Sequence, residues 1–538
     1  MTVGLSCSVS ASTPDWSEGF QIPAGGRANP YNLSPDEFAA SRERGRRLAI
    51  EYPVVVTGLL LPYQPLYRVL EKQSPNIFLE TVQKLFRSFT EIKDFNSMLA
   101  WIGLHEYPKV EDTGIYAVPY PGGDRRPSYL MGLSLIKRKG ATGFTFGCVA
   151  CHSSNLFGKT VLGLTNRFPR ANRLFFKSKQ LSTIADPHIF QISTGATNSE
   201  TQMMTDSLKN IESTVAKLPQ QLGLDTSLAQ VSLSLNRRAN DPWAEKDSYS
   251  QAHPRPDRLD TEIADSKPAV WWNLKYKNRW LLDGSVVSGN PVFTNILWNE
   301  LGRGVDLHDL DQWLSQNSLI IQDLVTAAFS VEAPPITDFF DASRIDLASA
   351  RRGEVLFNQS CKKCHGEYLK DWSTGMKTVR VNYHAKTPVI DVGTDSHRYL
   401  GMTSLEKLNA LTISQNNKTF IRAQRGYVPP PLVGIWARWP YFHNNSVPSL
   451  CAVLTVGTDR PRVFYPREAL DPKVDFDYAC NGYPTPHNLT TVQKLYQYDS
   501  SREGLSNAGH DVDILTEDGV EKFSSQDKKD LIQFLQTL

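Results

Sequence analysis

Two five-residue cysteine–histidine motifs constrain this 538-residue chain more than any other feature of its sequence. The first is Cys148-Val149-Ala150-Cys151-His152, and the second is Cys361-Lys362-Lys363-Cys364-His365. In such a motif the two thiols can reach the two vinyl groups of one haem, and the adjacent imidazole can reach its iron. A structural zinc site needs a complete set of four ligands, and a redox dithiol does not need a following histidine. The sequence therefore predicts two covalently bound haem c groups.

The predicted haem attachment also bears on where the protein resides. Because c-type haem is attached outside the bacterial cytoplasm, we expect a periplasmic or secreted protein. Val9-Ser10-Ala11 resembles the end of a signal peptide, although the basic segment that normally comes first is missing. A signal remnant, a lipidated Cys7 and an arm with an incidental cysteine remain as interpretations of the N-terminal segment.

Composition excludes two classes of partner. The 58 basic and 56 acidic residues leave a net charge of only +2, which gives no general attraction to nucleic acid. The longest apolar run, residues 54–61, is far shorter than the roughly 20 residues that cross a bilayer, so no transmembrane segment is expected. With 40% hydrophobic and 21% charged residues, the chain has the composition of a folded protein.

The chain is too long for one core, and its helical patterns suggest how it divides. We predict a mainly α fold with many long loops, built as two cytochrome c-type haem domains with large insertions. Residues 1–45 form an N-terminal arm or signal remnant, 46–335 the first haem domain and 336–538 the second. The boundary between the domains is placed at Ala333-Pro334-Pro335, after a helical stretch over 307–329.

Helix signals flank both motifs. Ser34-Pro35-Asp36-Glu37 reads as a capped helix start, and apolar spacing predicts a helix within residues 79–104. A helix over 347–358 leads into the second motif. The chain closes with a helix over 525–538, for which Ser524 and Asp527 form a capping pair.

The second axial ligand of each iron decides function, because an iron bound by protein on both sides transfers electrons, whereas one with a free face binds O2 or peroxide. Three residues are candidate ligands. His510 lies in a glycine-flanked loop before the last helix, His443 lies between aromatic residues and a turn, and Met402 follows His365 at a spacing common in small cytochromes. The residues alone leave the choice open.

Three cysteines lie outside the motifs: Cys7, Cys451 and Cys480. In an oxidising compartment Cys451 and Cys480 can pair and close a loop of about 30 residues, which would stabilise the fold by roughly 3 kcal/mol. Two unpaired buried thiols are the alternative.

Several strings of the sequence resemble a known family. They are Pro430-Pro431-Leu432-Val433-Gly434-Ile435-Trp436, Pro440-Tyr441-Phe442-His443-Asn444, Ser446-Val447-Pro448-Ser449-Leu450, Ser506-Asn507-Ala508-Gly509-His510, Phe146-Gly147 and Leu156-Phe157-Gly158-Lys159. Together they resemble the di-haem enzymes related to bacterial cytochrome c peroxidases and MauG, and they are most similar to the branch of the di-haem rubber oxygenases. The resemblance extends over residues 45–538.

The resemblance implies a division of labour between the haems. The N-terminal haem is the reactive one, with His152 as its only protein ligand, and the C-terminal haem relays electrons through His365 and His510. Peroxidases of the family use a methionine at the position of Gly457, so this chain departs from the usual peroxidase pattern. His443 then has a role close to the haems without binding iron.

Two further groups of residues are candidates for the site. Trp271, Trp272 and Trp280 are expected to form an apolar pocket at the open face of the first haem, with an ordinary core role as the alternative. The loop from Asp391 to Asp395 is a candidate calcium site, because related peroxidases carry calcium between their domains, and a plain loop is the alternative.

Three functional hypotheses follow. The leading one is an exported di-haem oxidoreductase that activates O2 or peroxide at the first haem and acts on a hydrophobic organic substrate, as in the cleavage of rubber-like polyisoprene. The second is a di-haem cytochrome c peroxidase that takes electrons from a small cytochrome. The third is a non-enzymatic electron carrier. A resting spectrum and CO binding distinguish them.

Overall fold

The computed structural model describes residues 13–71, 92–182, 186–373, 375–485, 489 and 494–538. Helices make up about 40% of the chain and strands about 12%, and loops separate most of them. The predicted mainly α fold with many loops is therefore confirmed. Cys7, the signal-like segment and residues 79–91 of the helix predicted within 79–104 lie outside the described residues. In the described remainder of that range, Phe95–Ile102 is helical.

The regular elements are numbered in chain order. The helices are α1 Pro35–Ile50, α2 Tyr63–Leu70, α3 Phe95–Ile102, α4 Ala171–Ser182, α5 Pro187–Thr194, α6 Asn198–Glu212, α7 Ser227–Asn236, α8 Ser248–Ala252, α9 Pro291–Gly302, α10 Leu307–Gln316, α11 Ser318–Phe329, α12 Leu347–Ser360, α13 Lys362–His365, α14 His397–Gly401, α15 Thr412–Asn416, α16 Leu450–Val453 and α17 Ser525–Gln536. The strands are β1 Leu61–Pro62, β2 Leu133–Arg138, β3 Ala141–Phe146, β4 Ser153–Leu156, β5 Lys159–Leu162, β6 Val286–Ser288, β7 Glu367–Asp371, β8 Lys377–Asn382, β9 Phe420–Ile421, β10 Val463–Phe464, β11 Tyr498–Asp499, β12 Thr516–Glu517 and β13 Val520–Glu521.

The helix α1 packs directly against α11. It begins at Pro35 after the capping box that the sequence predicts between Ser34 and Glu37. A Cβ atom on Gly45 would lie 1.8 Å from the carbonyl oxygen of Asp323, so the two helices cross with their backbones in contact. Ser41 and Arg44 both donate hydrogen bonds to the Asp323 carboxylate at this crossing.

The helices α12 and α17 repeat this arrangement. A Cβ atom on Gly353 would lie 2.0 Å from the carbonyl oxygen of Asp530. Ser349 and Arg352 donate hydrogen bonds to the Asp530 carboxylate in the same pattern. The chain thus contains two helix pairs with the same spacing of serine, arginine and glycine, and one of the pairs follows the other in sequence.

In the sequence, each cysteine–histidine motif lies between the two helices of one pair. The predicted boundary at residue 45 falls inside α1, which packs on α11. Residues before α1 also pack, because the Trp16 ring contacts the rings of Trp280 and Phe329. The division near 333–335 lies between α11 and α12, and the assignment of two haem domains stays a prediction.

Buried side chains form two large hydrophobic cores among the described residues. One contains residues of α1, α9 and α11, and it also contains Met402. The other contains residues of α12, α16 and α17 together with Trp272 and Trp436. Met402 is completely buried in the first core and does not line the cavity at His365 that is described below.

The strands form small antiparallel sheets beside the motifs. The largest has the order β1-β3-β2, and β3 leads directly into the first motif. The hairpin β4–β5 follows the first motif, and β7–β8 follows the second. In the part of the chain that the structure describes, no helix has both the length and the apolar character needed to span a bilayer.

A disulfide joins Cys451 and Cys480 across a separation of 29 residues. The structure thus selects the paired alternative for these two cysteines. Cys451 lies in α16, next to Leu450 in the wall of the cavity at the second motif, so the disulfide ties the loop 454–480 to that wall.

Candidate haem sites

The first motif forms a short turn between β3 and β4. Cys148–Ala150 makes one 3-10 turn, and the preceding Gly147 approaches the end of α1 so closely that a Cβ atom would lie 2.6 Å from the carbonyl oxygen of Ile50. The Nδ1 atom of His152 lies 2.8 Å from the carbonyl oxygen of Ala269. A carbonyl only accepts hydrogen bonds, so Nδ1 carries the proton and Nε2 has the free lone pair that a metal needs.

The second motif presents its histidine in the same way. Cys361 ends α12, and α13 carries the rest of the motif to His365. The Nδ1 atom of His365 lies 2.8 Å from the carbonyl oxygen of Pro430, and the Tyr368 hydroxyl donates to the backbone carbonyl of His365. Metal-binding histidines usually donate their second ring N–H in this manner, which fixes the ring and its tautomer.

The four motif thiols are free of disulfide bonds. Burial raises the pKa of Cys148 to about 11 and that of Cys151 and Cys361 to about 12, so these sulfurs stay protonated at neutral pH. Burial also lowers the pKa of His152 and His365 to about 4, which keeps both imidazoles neutral. Neutral imidazoles and unpaired thiols are the groups that covalent haem attachment requires.

An apolar cavity lies over the second motif. It contacts both motif cysteines and His365, and His510 also lines it. Most other lining residues are aliphatic, aromatic or proline, among them Leu282, Phe357, Ile390, Val392, Val428, Pro429, Leu432, Ile435, Phe442, Leu450, Val453, Leu454, Ile514, Leu531 and Leu535. The space and its apolar lining fit a haem macrocycle.

His510 faces His365, with 6.1 Å between the two ring centroids. Two imidazoles that bind one metal ion from opposite sides, each about 2 Å from it through nitrogen, have centroids about 6 Å apart. Burial, with smaller contributions from His365 and Arg460, lowers the pKa of His510 to about 3, so this ring is also neutral. Its Nδ1 atom is buried without a hydrogen-bond partner among the described residues.

Backbone packing explains how the loop carries His510 to this position. A Cβ atom on Gly509 would lie 2.4 Å from the backbone nitrogen of Thr394, so only glycine fits there. The backbone N–H of His510 donates to the carbonyl oxygen of Val392 at 2.8 Å. Arg460 donates to the carbonyl oxygens of Asn507 and Gly509 and thus holds the other side of the loop.

His443 lies in the wall of the same cavity. Its ring stacks on Tyr427 with centroids 3.9 Å apart, and burial near Arg398 and Lys267 holds its pKa well below the usual value. The structure therefore brings His365, His443 and His510 together around one cavity.

The three predicted pocket tryptophans lie in different places. Trp271 is beside His152, with ring centroids 5.4 Å apart. Trp272 is fully buried and donates through Nε1 to the carbonyl oxygen of Val433, and Trp280 donates to Gly289 and packs against Trp16. Trp271 and Trp280 belong to one hydrophobic core and Trp272 to the other, and a role for the three rings at an open face stays a prediction.

The predicted calcium loop packs against the loop that carries His510. The Asp391 carboxylate pairs with Arg425, and the Asp395 carboxylate accepts hydrogen bonds from His397 and from the backbone of Ser506. Within the described ranges, no group of three or more His, Cys, Asp or Glu side chains is arranged to hold a metal ion. Calcium binding stays a prediction without a cluster to support it.

Hydrogen bonds join the backbone segments that hold the two motif histidines. Ala269 accepts from His152, and four residues later Asn273 donates to the carbonyl oxygen of Pro431. Pro431 directly follows Pro430, which accepts from His365. The two candidate sites are thus neighbours that share one connected support. Sequence reasoning missed this support, because backbone carbonyls leave no residue signature.

Comparison with known proteins agrees with part of this site. A family described as RoxA-like, cytochrome c-like matches residues 426–465, which include Pro430 and His443. The match supports membership of a rubber oxygenase-like cytochrome c family over this short segment only. A cytochrome c-like domain implies covalently bound haem c, which agrees with the cysteine–histidine motifs of this chain.

Two curated relatives come from Sinorhizobium fredii (strain NBRC 101917 / NGR234), and both bear the name of an uncharacterized protein. The protein y4iM is 29% identical over 239 residues, which cover 40% of this chain and 53% of the relative. The protein y4iJ is 32% identical over 125 residues, which cover 23% of this chain and 20% of the relative. The chain thus spans about half the length of the first relative and a fifth of the second.

Proposed function

We propose that this protein is an exported di-haem c oxidoreductase that activates O2 at the first motif and exchanges electrons at the second. The unequal surroundings of the two motif histidines carry this proposal. His365 faces a second imidazole, that of His510, at 6.1 Å. Among the described residues, the ring that contacts His152 is the indole of Trp271.

A haem iron with one protein ligand can bind O2 or peroxide, whereas one with two protein ligands transfers electrons. The chain's part is to set this difference through its own residues. The Nδ1 atoms of His152 and His365 donate to Ala269 and Pro430 and so orient both rings. His510, held by its glycine loop, closes the second site.

The surroundings of Gly457 favour an oxygenase over a peroxidase of the usual type. This position, where the related peroxidases carry a methionine, donates its backbone N–H to the Asp511 carboxylate at 2.9 Å. A Cβ atom on Gly457 would lie 2.7 Å from the same carboxylate. A side chain at this position would displace the Asp511 carboxylate, and in this proposal His510, which precedes Asp511 in the sequence, supplies the second ligand instead. The proposed substrate is a hydrophobic organic molecule of the polyisoprene type.

The Cys451–Cys480 disulfide supports the proposed export, because disulfides persist in oxidising compartments. Haem c attachment outside the cytoplasm requires the same location.

Spectroscopy of the haem-loaded protein tests the assignment. We expect one low-spin haem and one haem that binds CO after reduction. The variant His510→Ala should convert the low-spin haem to a high-spin form and double the CO bound per chain. The control His253→Ala changes an exposed histidine that stacks on Tyr249, and it should keep the wild-type spectrum.

Two results would contradict the proposal. If both haems of the wild type are low-spin and ignore CO, the protein is an electron carrier. If His510→Ala leaves the spectrum unchanged, His510 is not a ligand. Mixing the reduced protein with O2 or with peroxide separates the two enzyme classes: a stable O2 complex favours the oxygenase, and rapid turnover with peroxide and a reduced small cytochrome favours the peroxidase.

A further inference from the structure

The charges around the cavity at the second motif are one-sided. Lys267, Lys363 and Arg438 line it, and no aspartate or glutamate among the described residues does. Lys363 is an exposed residue of the motif itself, whereas Lys267 and Arg438 come from distant segments and are half-buried in the cavity wall. Cations that are partly removed from water in an apolar wall normally have an acidic partner.

Lys267 and Arg438 have unused hydrogen-bonding capacity. Lys267 donates through Nζ to the carbonyl oxygen of Pro440 at 2.7 Å, and Arg438 donates through Nη1 to that of Pro431 at 2.9 Å. An ammonium has three donors and a guanidinium five, and within the described part of the chain neither side chain forms an ion pair. Several N–H groups of both residues are therefore available to a ligand in the cavity.

The two cations lie close enough to affect each other. Burial holds the pKa of Lys267 well below its usual value, and Arg438 and Arg167 lower it further. Burial likewise lowers the pKa of Arg438 to about 10. Two adjacent cations repel each other, and an anionic group placed between them would remove this cost.

We propose that Lys267 and Arg438 bind the two propionate carboxylates of the haem attached at the second motif. The rest of the cavity is apolar, so its complement is a large apolar body that carries carboxylates at one edge, which is the chemistry of haem. Lys267 lies two residues before Ala269, the acceptor for His152. A haem held by Lys267 would therefore contact the segment that orients the first motif histidine.

This inference rests on haem attachment at the second motif, which the proposed function shares. It adds a consequence for the midpoint potential of that haem. Two cations beside the propionates stabilise the reduced form, which carries one positive charge fewer. Their removal should therefore lower the potential.

The test uses the haem-loaded full chain in a redox titration that is followed by the low-spin absorbance. Lys267→Met and Arg438→Gln remove one charge each, and both should lower the midpoint potential of the low-spin haem, with a larger shift in the double variant. Lys267→Arg and Arg438→Lys keep the charge and should stay near the wild-type value. Lys386→Met and Arg125→Gln remove exposed charges and serve as controls.

Haem content, measured from the alkaline pyridine spectrum, shows whether each variant is loaded. A double variant with full haem content and an unchanged potential would overturn the proposal. So would charge-keeping variants that shift as far as the neutral ones, because the effect would then come from the loop at Pro431. If the double variant does not load, the single variants decide. Failure of the proposed function appears separately, as absent CO binding in the wild type.

Discussion

Replacing Gly353 with alanine tests how closely α12 must approach α17 to hold the second motif. A Cβ atom at this position would lie 2.0 Å from the carbonyl oxygen of Asp530 and 2.9 Å from the Cβ atom of Phe534. Since non-bonded heavy atoms pack at roughly 3.5–4.0 Å, the helices would have to separate by more than about 1 Å. We expect Gly353→Ala to destabilise the protein.

The magnitude follows from two opposing effects. Alanine is favoured over glycine in a helix by about 0.5–1 kcal/mol. Forced separation of packed elements costs about 1–3 kcal/mol and sometimes more, and here it also pulls Arg352 and Ser349 away from the Asp530 carboxylate. These two effects together give a net loss of up to about 2.5 kcal/mol, to which the weakened hydrogen bonds to Asp530 add, out of the roughly 5–15 kcal/mol that stabilises a domain.

The matched control is Gly302→Ala at the end of α9. A Cβ atom there meets no atom within 4 Å, so this variant should be neutral or gain at most about 1 kcal/mol. Urea unfolding of the haem-loaded protein, followed by circular dichroism and by the Soret band, measures both variants. If Gly353→Ala is as stable as Gly302→Ala, the backbone contact between α12 and α17 does not hold the domain, and the reasoning fails.

Three further predictions concern stability. Gly45→Ala should lower the melting temperature, because it disrupts the contact between α1 and α11 as Gly353→Ala disrupts that between α12 and α17. Gly302→Ala should not lower it. Serine at both Cys451 and Cys480 should lower the free energy of unfolding by about 3 kcal/mol, because the open loop gains entropy when unfolded, and an unchanged urea midpoint would refute this. Burial raises the pKa of Asp257, but hydrogen bonds, led by that from Lys407, lower it overall to about 2. The stability that this carboxylate contributes is present above about pH 4 and is lost as the pH falls toward 2. Asp257→Asn should therefore flatten the fall in melting temperature over this pH range. An unchanged pH profile would contradict the pairing of Asp257 with Lys407.

The sequence predicted much of the local structure around the second motif. The capped starts at Ser34 and Ser524 are present, because capping depends on residues three positions apart. The helix before Cys361 is also present. His510 was a candidate from its glycine-flanked loop, and the structure places its ring opposite His365. Chemistry that depends on short spacing was thus readable from the residues alone.

The repeated arrangement of the two helix pairs is not predicted by the sequence. The shared signal is short, a serine followed three and four residues later by arginine and glycine, at residues 41–45 and 349–353. Its meaning depends on Asp323 and Asp530, which lie 279 and 178 residues away from the arginines that bind them. No periodicity connects positions so far apart.

By itself, the sequence determined that the chain has two cysteine–histidine motifs, a nearly neutral charge balance and the capped helix starts at Ser34 and Ser524. Each of these depends on residue identity or on neighbours within one helical turn. The tertiary structure alone decided which carbonyls orient His152 and His365, that Cys451 pairs with Cys480, and that Lys267 and Arg438 share one cavity. The physical reason is that such contacts join segments distant in sequence. Their distances follow from how the two cores pack, which no local pattern of residues specifies.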